Sequence, residues 1–152
     1  MNAGPASSRT SQLHPNESPG LLLWRATLRW QRVIAAALKP LDLTHVQFVL
    51  LASTWWLTRV AGELPSQRRL AEHAGTDPMM TSQVLRTLEA KRLITREPDP
   101  TDSRARRVRV TRHGATLAQK AITVVETADA DFFKAAGDQN ALLNTLKRLG
   151  QA

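Results

Sequence analysis

The chain has 152 residues, which is the length of a single domain with a core of ordinary size. Its 21 lysines and arginines exceed its 13 acidic residues and give a formal charge of +8, which favours a polyanionic partner such as nucleic acid or anionic lipid. The lack of cysteine excludes disulfides, thiolate zinc sites and cysteine redox switches. No apolar run approaches the roughly 20 residues of a membrane-spanning helix, and no signal-peptide pattern opens the chain. We therefore expect a cytoplasmic protein without membrane contact.

The N-terminal part of the chain divides into an arm and two helices. Residues 1–18 are rich in Ser, Pro, Gly and Asn and poor in apolar side chains, so we expect a disordered arm. Pro19 suits the first turn of a helix that ends near Leu38. Apolar residues cover most of this helix, so it must be buried on more than one side. Thr44 and Gln47 have the capping-box spacing and begin a second helix that ends near residue 60.

Two short helices and a hairpin follow in the middle of the chain. Ser66 is the predicted N-cap of the first helix, which a glycine ends. Asp77 as N-cap and Pro78 at the first helical position begin the next helix. A strand at residues 93–97, a polar loop and an alternating strand at residues 105–110 then predict a hairpin with a charged tip. Two helices around a glycine turn, followed by a hairpin, are typical of a winged helix-turn-helix.

Two amphipathic helices are predicted at the C-terminal end. Thr111 caps a long helix with apolar residues at three- and four-residue steps, and Asp138 begins a last helix that carries four leucines and ends at Gly150. The whole pattern predicts a mainly α fold with a small β-hairpin wing, in the α+β class.

The helix-turn-helix and the hairpin contain the candidate DNA-binding residues. The second helix of such a pair enters the major groove through its N-terminal turns, and the start of the first helix suits a backbone phosphate. Arginines of the hairpin suit a phosphate strip or the minor groove, and Asp102 can orient the guanidinium of Arg104. Each polar side chain is also compatible with simple exposure, and Asp102 with Arg104 is compatible with a surface ion pair. The candidates are Ser66, Gln67, Arg68, Met79, Thr81, Ser82, Gln83, Arg86, Asp102, Arg104, Arg106 and Arg107.

Several stretches resemble the MarR family of winged helix-turn-helix transcriptional regulators, over about residues 21–149. The wing pattern from Asp99 to Arg104 is the most specific of them. One position departs from the family, which usually has Gly where this chain has Arg92 between the recognition helix and the strand. The matching stretches are Leu70-Ala71, Val84 to Glu89, Leu93 to Arg96, Asp99 to Arg104 leading to Val108 to Thr111, and Gly114.

The resemblance implies roles for particular residues and an assembly. Arg104 becomes the wing-tip arginine that enters the minor groove, Asp102 its acidic partner, and the helix from Asp77 to Lys91 the recognition helix. MarR dimers pair through their terminal helices, and this chain has apolar helices at both ends, so we expect a homodimer. The expected parts of one domain at 19–152 are dimerisation and effector helices at 19–61, the winged helix-turn-helix at 62–111, and C-terminal dimerisation helices at 112–152.

The function that the resemblance implies is DNA-binding transcriptional regulation on double-stranded DNA. We expect a repressor that binds a palindromic operator as a homodimer, with recognition helices in successive major grooves about 34 Å apart. The family also implies release by a small aromatic or phenolic ligand, bound between the dimerisation and DNA-binding parts. An effector-independent architectural DNA-binding protein is the alternative, and unchanged DNA affinity across a ligand panel would favour it.

The two helices that border the implied effector pocket carry aromatic and basic residues. Core packing is the default interpretation for tryptophans on apolar helices, and a solvated face is the default for the stripe of Arg25, Arg29 and Arg32. The alternative is an anionic effector site for the arginine stripe, and a place in the implied effector pocket for the aromatic residues. The candidate effector residues are Trp24, Arg25, Trp30, His45, Trp55 and Trp56.

Other chemistry has little support in the sequence. A Gly-rich phosphate loop, a nucleophile elbow, a zincin motif and a cysteine nucleophile are all missing, so we do not expect an enzyme. The four histidines lack metal-ligand spacing, so we expect neither a metal nor a cofactor.

Overall fold

Side-chain caps set the start of each α-helix in the computed structural model, which describes residues 13–151. Each of these helices follows a Ser, Thr or Asp whose side chain accepts a hydrogen bond from a backbone N–H of the first turn. The caps are Ser18, Thr44, Ser66, Asp77, Thr111 and Asp138. The helices are α1 (Pro19–Leu38), α2 (His45–Trp55), α3 (Gln67–Ala74), α4 (Pro78–Ala90), α5 (Arg112–Phe133) and α6 (Gln139–Gly150).

The predicted helix boundaries are confirmed at five of these caps. Thr44 and Gln47 form both bonds of the capping box, and a π-helical turn over Trp56–Val60 extends α2 to its predicted end. The sixth cap, Ser18, lies in the segment predicted as a disordered arm. Pro15–Glu17 forms a 3-10 turn before it, so the last residues of that arm are ordered. Residues 1–12 of the arm lie outside the described residues.

The predicted hairpin consists of β1 (Ile94–Pro98) and β2 (Arg106–Val110), paired antiparallel with Ile94 opposite Val110. Val108 and Val110 are buried, as the alternation predicts. A third segment, which the sequence did not predict, pairs with β2. Pro65 accepts a hydrogen bond of 2.9 Å from the Val108 N–H, and Ser66 forms a bridge with Arg107. The hairpin is therefore fastened to the chain that leads into α3.

The core lies where α1, α2, α4, α5 and the hairpin meet. Its fully buried side chains include leucines of α2 and α4 and Val108 of β2. The start of α5 approaches β1 so closely that a Cβ on Gly114 would lie 1.9 Å from the Leu93 carbonyl oxygen. Only glycine fits at this contact, so the first turn of α5 rests directly on the backbone of Leu93, the residue before β1.

The turn after α4 places Arg92 in the left-handed region, at φ 59°. This is the position where the resembling family has glycine, and a side chain here costs about 1 kcal/mol. The N–H groups of Arg92 and Leu93 donate to the carbonyls of Glu89 and Leu88, which close the helix end. The fold thus retains the glycine conformation without the glycine.

The apolar faces of α1 and α6 stay largely uncovered in the single chain. Of α1, only Ile34 and Leu38 are buried, and α6 has no buried residue. The prediction that α1 is buried on more than one side is therefore wrong for one chain alone. The exposed apolar side chains on these two helices include Leu22, Leu23, Trp24, Leu143, Leu146 and Leu149.

Within residues 13–151, no helix is by itself long and apolar enough to cross a membrane. Taken together, α1 and α2, each with the turn that follows it, are long and apolar enough to span a membrane, but the two helices are bent by 72° relative to each other. No group of three His, Asp or Glu in this part of the chain is arranged to hold a metal ion.

Candidate nucleic-acid interface

The exposed face of α4 begins directly after the glycine turn. Gly75 ends α3 in the left-handed conformation at φ 65°, and the Asp77 carboxylate accepts the Met80 N–H at 3.0 Å to start α4. The opposite face of α4 is anchored in the core by Leu85 and Leu88, which are fully buried. The exposed face therefore has a fixed direction. It carries Met79, which is 76% exposed, Met80, half-buried Ser82, and the exposed Gln83 and Arg86.

Thr81 departs from the predicted set. Its side chain is 1% exposed, and its hydroxyl shares a 2.7 Å hydrogen bond with the Thr76 hydroxyl and lies 2.8 Å from the Asp77 carbonyl. These contacts close the turn between α3 and α4. Thr81 is therefore a turn residue and is removed from the residues that can reach a base edge.

The base of the wing loop is organised by Asp99, a buried carboxylate. It accepts hydrogen bonds from the Thr101 backbone N–H at 2.8 Å and the Thr101 hydroxyl at 2.7 Å, and it pairs with the Arg107 guanidinium. The bond from the Thr101 N–H contributes most to lowering the pKa of Asp99 to about 2, with further contributions from the Thr101 hydroxyl and Arg107. Asp99 is thus ionised at neutral pH.

Arg107 is occupied within the fold. Besides its pair with Asp99, it donates from Nη1 to the Leu64 carbonyl at 2.9 Å, which ties β2 to the segment before α3. The sequence placed Arg107 on the outward face of its strand as a candidate DNA contact. The structure instead uses most of its guanidinium at the base of the wing, since the loop that carries Asp99 folds back over it.

The wing tip presents two exposed arginines, Arg104 and Arg106. The Asp102 carboxylate accepts the backbone N–H of Arg104 at 2.9 Å, and the Asp102 carbonyl accepts the Ala105 N–H at 3.0 Å. Asp102 was expected to orient the Arg104 guanidinium. It instead fixes the backbone of the tight turn from which the Arg104 side chain projects.

A basic groove separates the start of α3 from the wing. It has a volume of about 520 Å³ and includes Ser66, Arg68, Arg104 and Arg106 in its walls. Ser66 Oγ caps α3, and Arg68 is highly exposed with only an i,i+4 pair to Glu72. The partial positive charge of a helix start and several arginines suit a backbone phosphate in this groove.

Arg96 is a residue of this region that the sequence reasoning did not select. It joins the Gln67 side chain, at 3.2 Å, to Glu89 near the end of α4, at 2.9 Å. The hydrogen bond from Arg96 is the main cause of a lowered pKa at Glu89. Gln67, predicted as a phosphate contact, therefore has a partner within the protein. The available signal was the match of Leu93 to Arg96 to the family pattern.

Two of the candidate effector residues meet between α1, α2 and α5. The Trp30 indole N–H donates to the Asp129 carboxylate at 2.7 Å, and its ring packs edge-on to His45 with 4.9 Å between centroids. Phe133 lies 6.5 Å from the Trp30 ring. Burial lowers the pKa of His45, while the charge of Asp129 opposes that shift. This cluster combines the aromatic rings of Trp30 and Phe133 with the Asp129 carboxylate and the His45 imidazole.

The other four candidates lie elsewhere, so the six residues do not form one site. Trp24 is 62% exposed near the start of α1, and Arg25 reaches the Asn16 side chain at 3.5 Å. Trp55 packs against the core, and Trp56 stacks on His73 at 5.5 Å. The expected single aromatic pocket is therefore not formed by these residues in one chain.

Lys91 joins the end of α4 to the corner between α1 and α2. Its ammonium donates to the Asp42 carbonyl, lies 3.2 Å from the Asp42 carboxylate and 3.3 Å from Gln47 Oε1. An open cavity of about 380 Å³ beside this contact includes Lys39, His45 and Lys91 in its lining. The cavity lies where the end of α4 meets the corner between α1 and α2, and its lining combines Lys39 and His45 with the paired Lys91 and Asp42.

A helix-turn-helix followed by a basic, internally braced hairpin defines a winged helix-turn-helix protein. The MarR family model matches residues 43–105. The uncharacterised HTH-type transcriptional regulator YdcH of Bacillus subtilis is 44% identical over 135 residues, which cover 89% of this chain and 91% of that protein. The HTH-type transcriptional repressor Rv2887 of Mycobacterium tuberculosis is 33% identical over 135 residues, covering 86% of this chain and 92% of that protein.

Among solved structures, BpsR of Bordetella bronchiseptica, whose DNA binding is regulated by 6-hydroxynicotinic acid, has the same fold. Its TM-score is 0.81 at 23% identity, covering 93% of this chain and 99% of that chain. This chain belongs to the MarR family of transcriptional regulators. It is not an enzyme.

The bonds at Asp99 predict how stability depends on pH. Because the pKa of Asp99 in the fold lies below its ordinary value of 3.8, the carboxylate stabilises the fold above about pH 4, and this contribution is lost as the pH falls toward about 2. Asp99→Asn should therefore lower the free energy of unfolding at pH 7 and flatten its decline below about pH 4, measured by urea denaturation at each pH. Asp131→Asn, on the exposed side of α5, is the charge control. An unchanged acid profile in Asp99→Asn would contradict this role.

Proposed function

We propose that this MarR-family regulator binds a palindromic operator as a homodimer and represses transcription, acting at the chromosome in the cytoplasm. The exposed polar face of α4 beside a braced wing with Arg104 and Arg106 at its tip is the observation that carries the proposal. The relative Rv2887 is a repressor by name, which supports repression over activation.

Within this proposal, α4 reads the major groove. Gln83 and Arg86 point from its exposed face and have the donors and acceptors that base edges require. Ser82 is half-buried and suits a shorter contact to a base or phosphate. Met79 adds an apolar surface at the helix start. Ser66 and Arg68 contact the backbone phosphates in the groove between α3 and the wing.

Arg104 supplies the wing contact in the minor groove, with Arg106 beside it. A guanidinium is the preferred group for a narrow minor groove, where the potential is most negative. The turn that Asp102 fixes limits the conformations of the Arg104 backbone before binding, which lowers the entropy cost of placing the side chain. Arg107, which is held by Asp99, serves here as the anchor of the wing.

Replacing Arg104 tests the proposed function directly. Arg104→Ala should weaken binding to a duplex selected by the wild-type protein by about tenfold or more, and should reduce the salt slope of log affinity by about one. Fluorescence anisotropy at several salt concentrations measures both quantities. Lys134→Ala is the control, since it removes one charge at the far end of the 22-residue α5, roughly 33 Å along that helix from the hairpin. Wild-type affinity and salt slope in Arg104→Ala would contradict the wing assignment.

The uncovered apolar faces of α1 and α6 support a second copy of this chain as their partner. Leucines at 50%, 43% and 65% exposure follow one another along α6, and α1 exposes Leu22, Leu23 and Trp24. Monomeric proteins rarely leave contiguous apolar surface of this kind in water. A two-fold dimer through these faces places two copies of α4 on one duplex.

A charge placed on the α6 face tests the dimer. Leu143→Asp should convert a dimer at micromolar concentration into a monomer, because the carboxylate would be buried without a partner. Asn144→Asp introduces the same charge at the next position and should remain a dimer. Sedimentation velocity distinguishes the two states. A wild-type protein that sediments as a monomer at micromolar concentration would contradict the proposed interface.

An effector of small aromatic and anionic character is the remaining part of the proposal. The Trp30, His45 and Asp129 cluster lies between α1, α2 and α5, and the cavity at Lys39 and Lys91 lies beside the end of α4. The DNA binding of BpsR is regulated by 6-hydroxynicotinic acid, which supports an aromatic acid as the ligand class. A ligand that prefers one spacing of the two recognition helices shifts the population toward it.

A ligand panel separates this proposal from an architectural DNA-binding protein. A binding aromatic acid should raise the melting temperature, lower affinity for the selected duplex and change tryptophan fluorescence. Trp30→Phe should lose most of the fluorescence change, whereas Trp56→Phe, which alters a tryptophan stacked on His73, should retain it. Unchanged DNA affinity and melting temperature across a broad panel of aromatic acids would favour the architectural alternative.

A further inference from the structure

The Arg96 side chain connects α3, α4 and the hairpin. Arg96 lies on β1, and its Nη2 donates to Glu89 Oε1 on α4 at 2.9 Å. Its Nη1 donates to Gln67 Oε1, at the start of α3, at 3.2 Å. The second Glu89 oxygen accepts the backbone N–H of Arg96 at 3.1 Å. The guanidinium therefore links α3, α4 and the wing at one point, which we call the Arg96 clamp.

Within the Arg96 clamp, the Arg96 guanidinium is largely shielded from water, whereas the Glu89 side chain is 39% exposed. The Arg96 side chain is only 18% exposed, and its Nε is buried with no hydrogen-bond partner in the described part of the chain. The opposite charge of Glu89 compensates the buried guanidinium, and the pKa of Glu89 is lowered by it. An unmatched buried donor costs stability, so the network is not optimised for stability alone. The network does fix one arrangement of α3, α4 and the hairpin, because a planar guanidinium donates hydrogen bonds only in set directions.

A fixed geometry has a use in a protein that contacts two grooves at once. The recognition helix and the wing tip must be held at one separation and angle to reach neighbouring grooves of the same duplex. If the hairpin swings relative to α4, each contact still forms alone, but forming both costs conformational entropy on binding. The clamp joins the strand that leads to the wing loop with the last turns of α4.

We propose that Arg96 is a positioning residue for DNA binding: through Glu89 and Gln67 it sets the angle between the recognition helix and the wing, so that both contacts form together. The inference rests on the proposed function, since it needs α4 and the wing to contact the same DNA. Arg96 itself does not contact DNA in this proposal. It acts through the direction in which Arg86 and Arg104 are presented.

The test uses the full chain and the tightest duplex from a random-sequence selection with the wild-type protein. Arg96→Lys keeps the charge but cannot bridge Glu89 and Gln67 with one planar group. Glu89→Gln keeps an acceptor for the Arg96 N–H and removes the charge. Each change should weaken duplex binding by about tenfold at a temperature well below the melting transition, measured by anisotropy.

The decisive measurement repeats Arg96→Lys in a chain that already has Arg104→Ala. Once Arg104, the residue proposed to enter the minor groove, is removed, the angle of the wing should matter much less, even with Arg106 in place, so Arg96→Lys should then weaken binding less than threefold. A residue that only stabilises the fold would cause the same loss in both backgrounds. Equal losses in the two backgrounds, or no loss in either, would overturn the positioning role.

Glu63→Gln is the matched control for Glu89→Gln. It breaks the Arg69–Glu63 pair at 3.3 Å, which holds α3 to the preceding loop and involves neither α4 nor the hairpin. Duplex affinity should stay within twofold of wild type. If the wild-type protein binds no duplex, or if Arg104→Ala binds as well as wild type, the proposed function fails and this inference fails with it. If Arg104 matters and the Arg96 losses are additive with it, only the inference fails.

Discussion

The attachment of the hairpin to the helix pair is the constraint on which the reading surface depends. A two-stranded hairpin is marginal in water by itself, so it needs contacts beyond its own ladder. Here Pro65 accepts the Val108 N–H, and Arg107 spans from Asp99 to the Leu64 carbonyl. Together with the Arg96 clamp, these contacts attach the short ladder to the helix-turn-helix at several points. The exposed arginines at its tip then have a defined position relative to α4.

The helices could be predicted from short sequence patterns, because one or two neighbouring residues determine where each helix begins. The caps at Thr44, Ser66 and Asp77 are short-range bonds that a sequence pattern reveals directly. The glycine-like turn at Arg92 was also visible, as a departure from the family pattern. The burial of Thr81 in α4 was predictable in principle. Thr81 shares a helix face with Leu85 and Leu88, four and seven residues later, and that face is buried.

Contacts between distant segments could not be predicted from the sequence. Strand alternation placed Arg107 outward, and only the folded wing loop shows that Asp99 turns back onto it. Asp102 and Arg104 are two residues apart, which suits an ion pair as well as a turn, and the structure has the turn bond. The aromatic residues of α1 and α2 have no pattern that distinguishes packing from ligand binding. Gathering Trp30 with His45 and Asp129 requires α5, whose sequence lies about a hundred residues away.

The close approach of Gly114 to Leu93 places the start of α5 directly against the hairpin. The first turn of this helix rests on the backbone of Leu93, just before β1, without an intervening side chain, and its other half holds Asp129 against Trp30. One helix therefore joins the aromatic cluster to the backbone at the start of the hairpin. A ligand that displaced α5 at the aromatic cluster would thus also act on the hairpin, because Gly114 leaves no side chain between the helix and the Leu93 backbone.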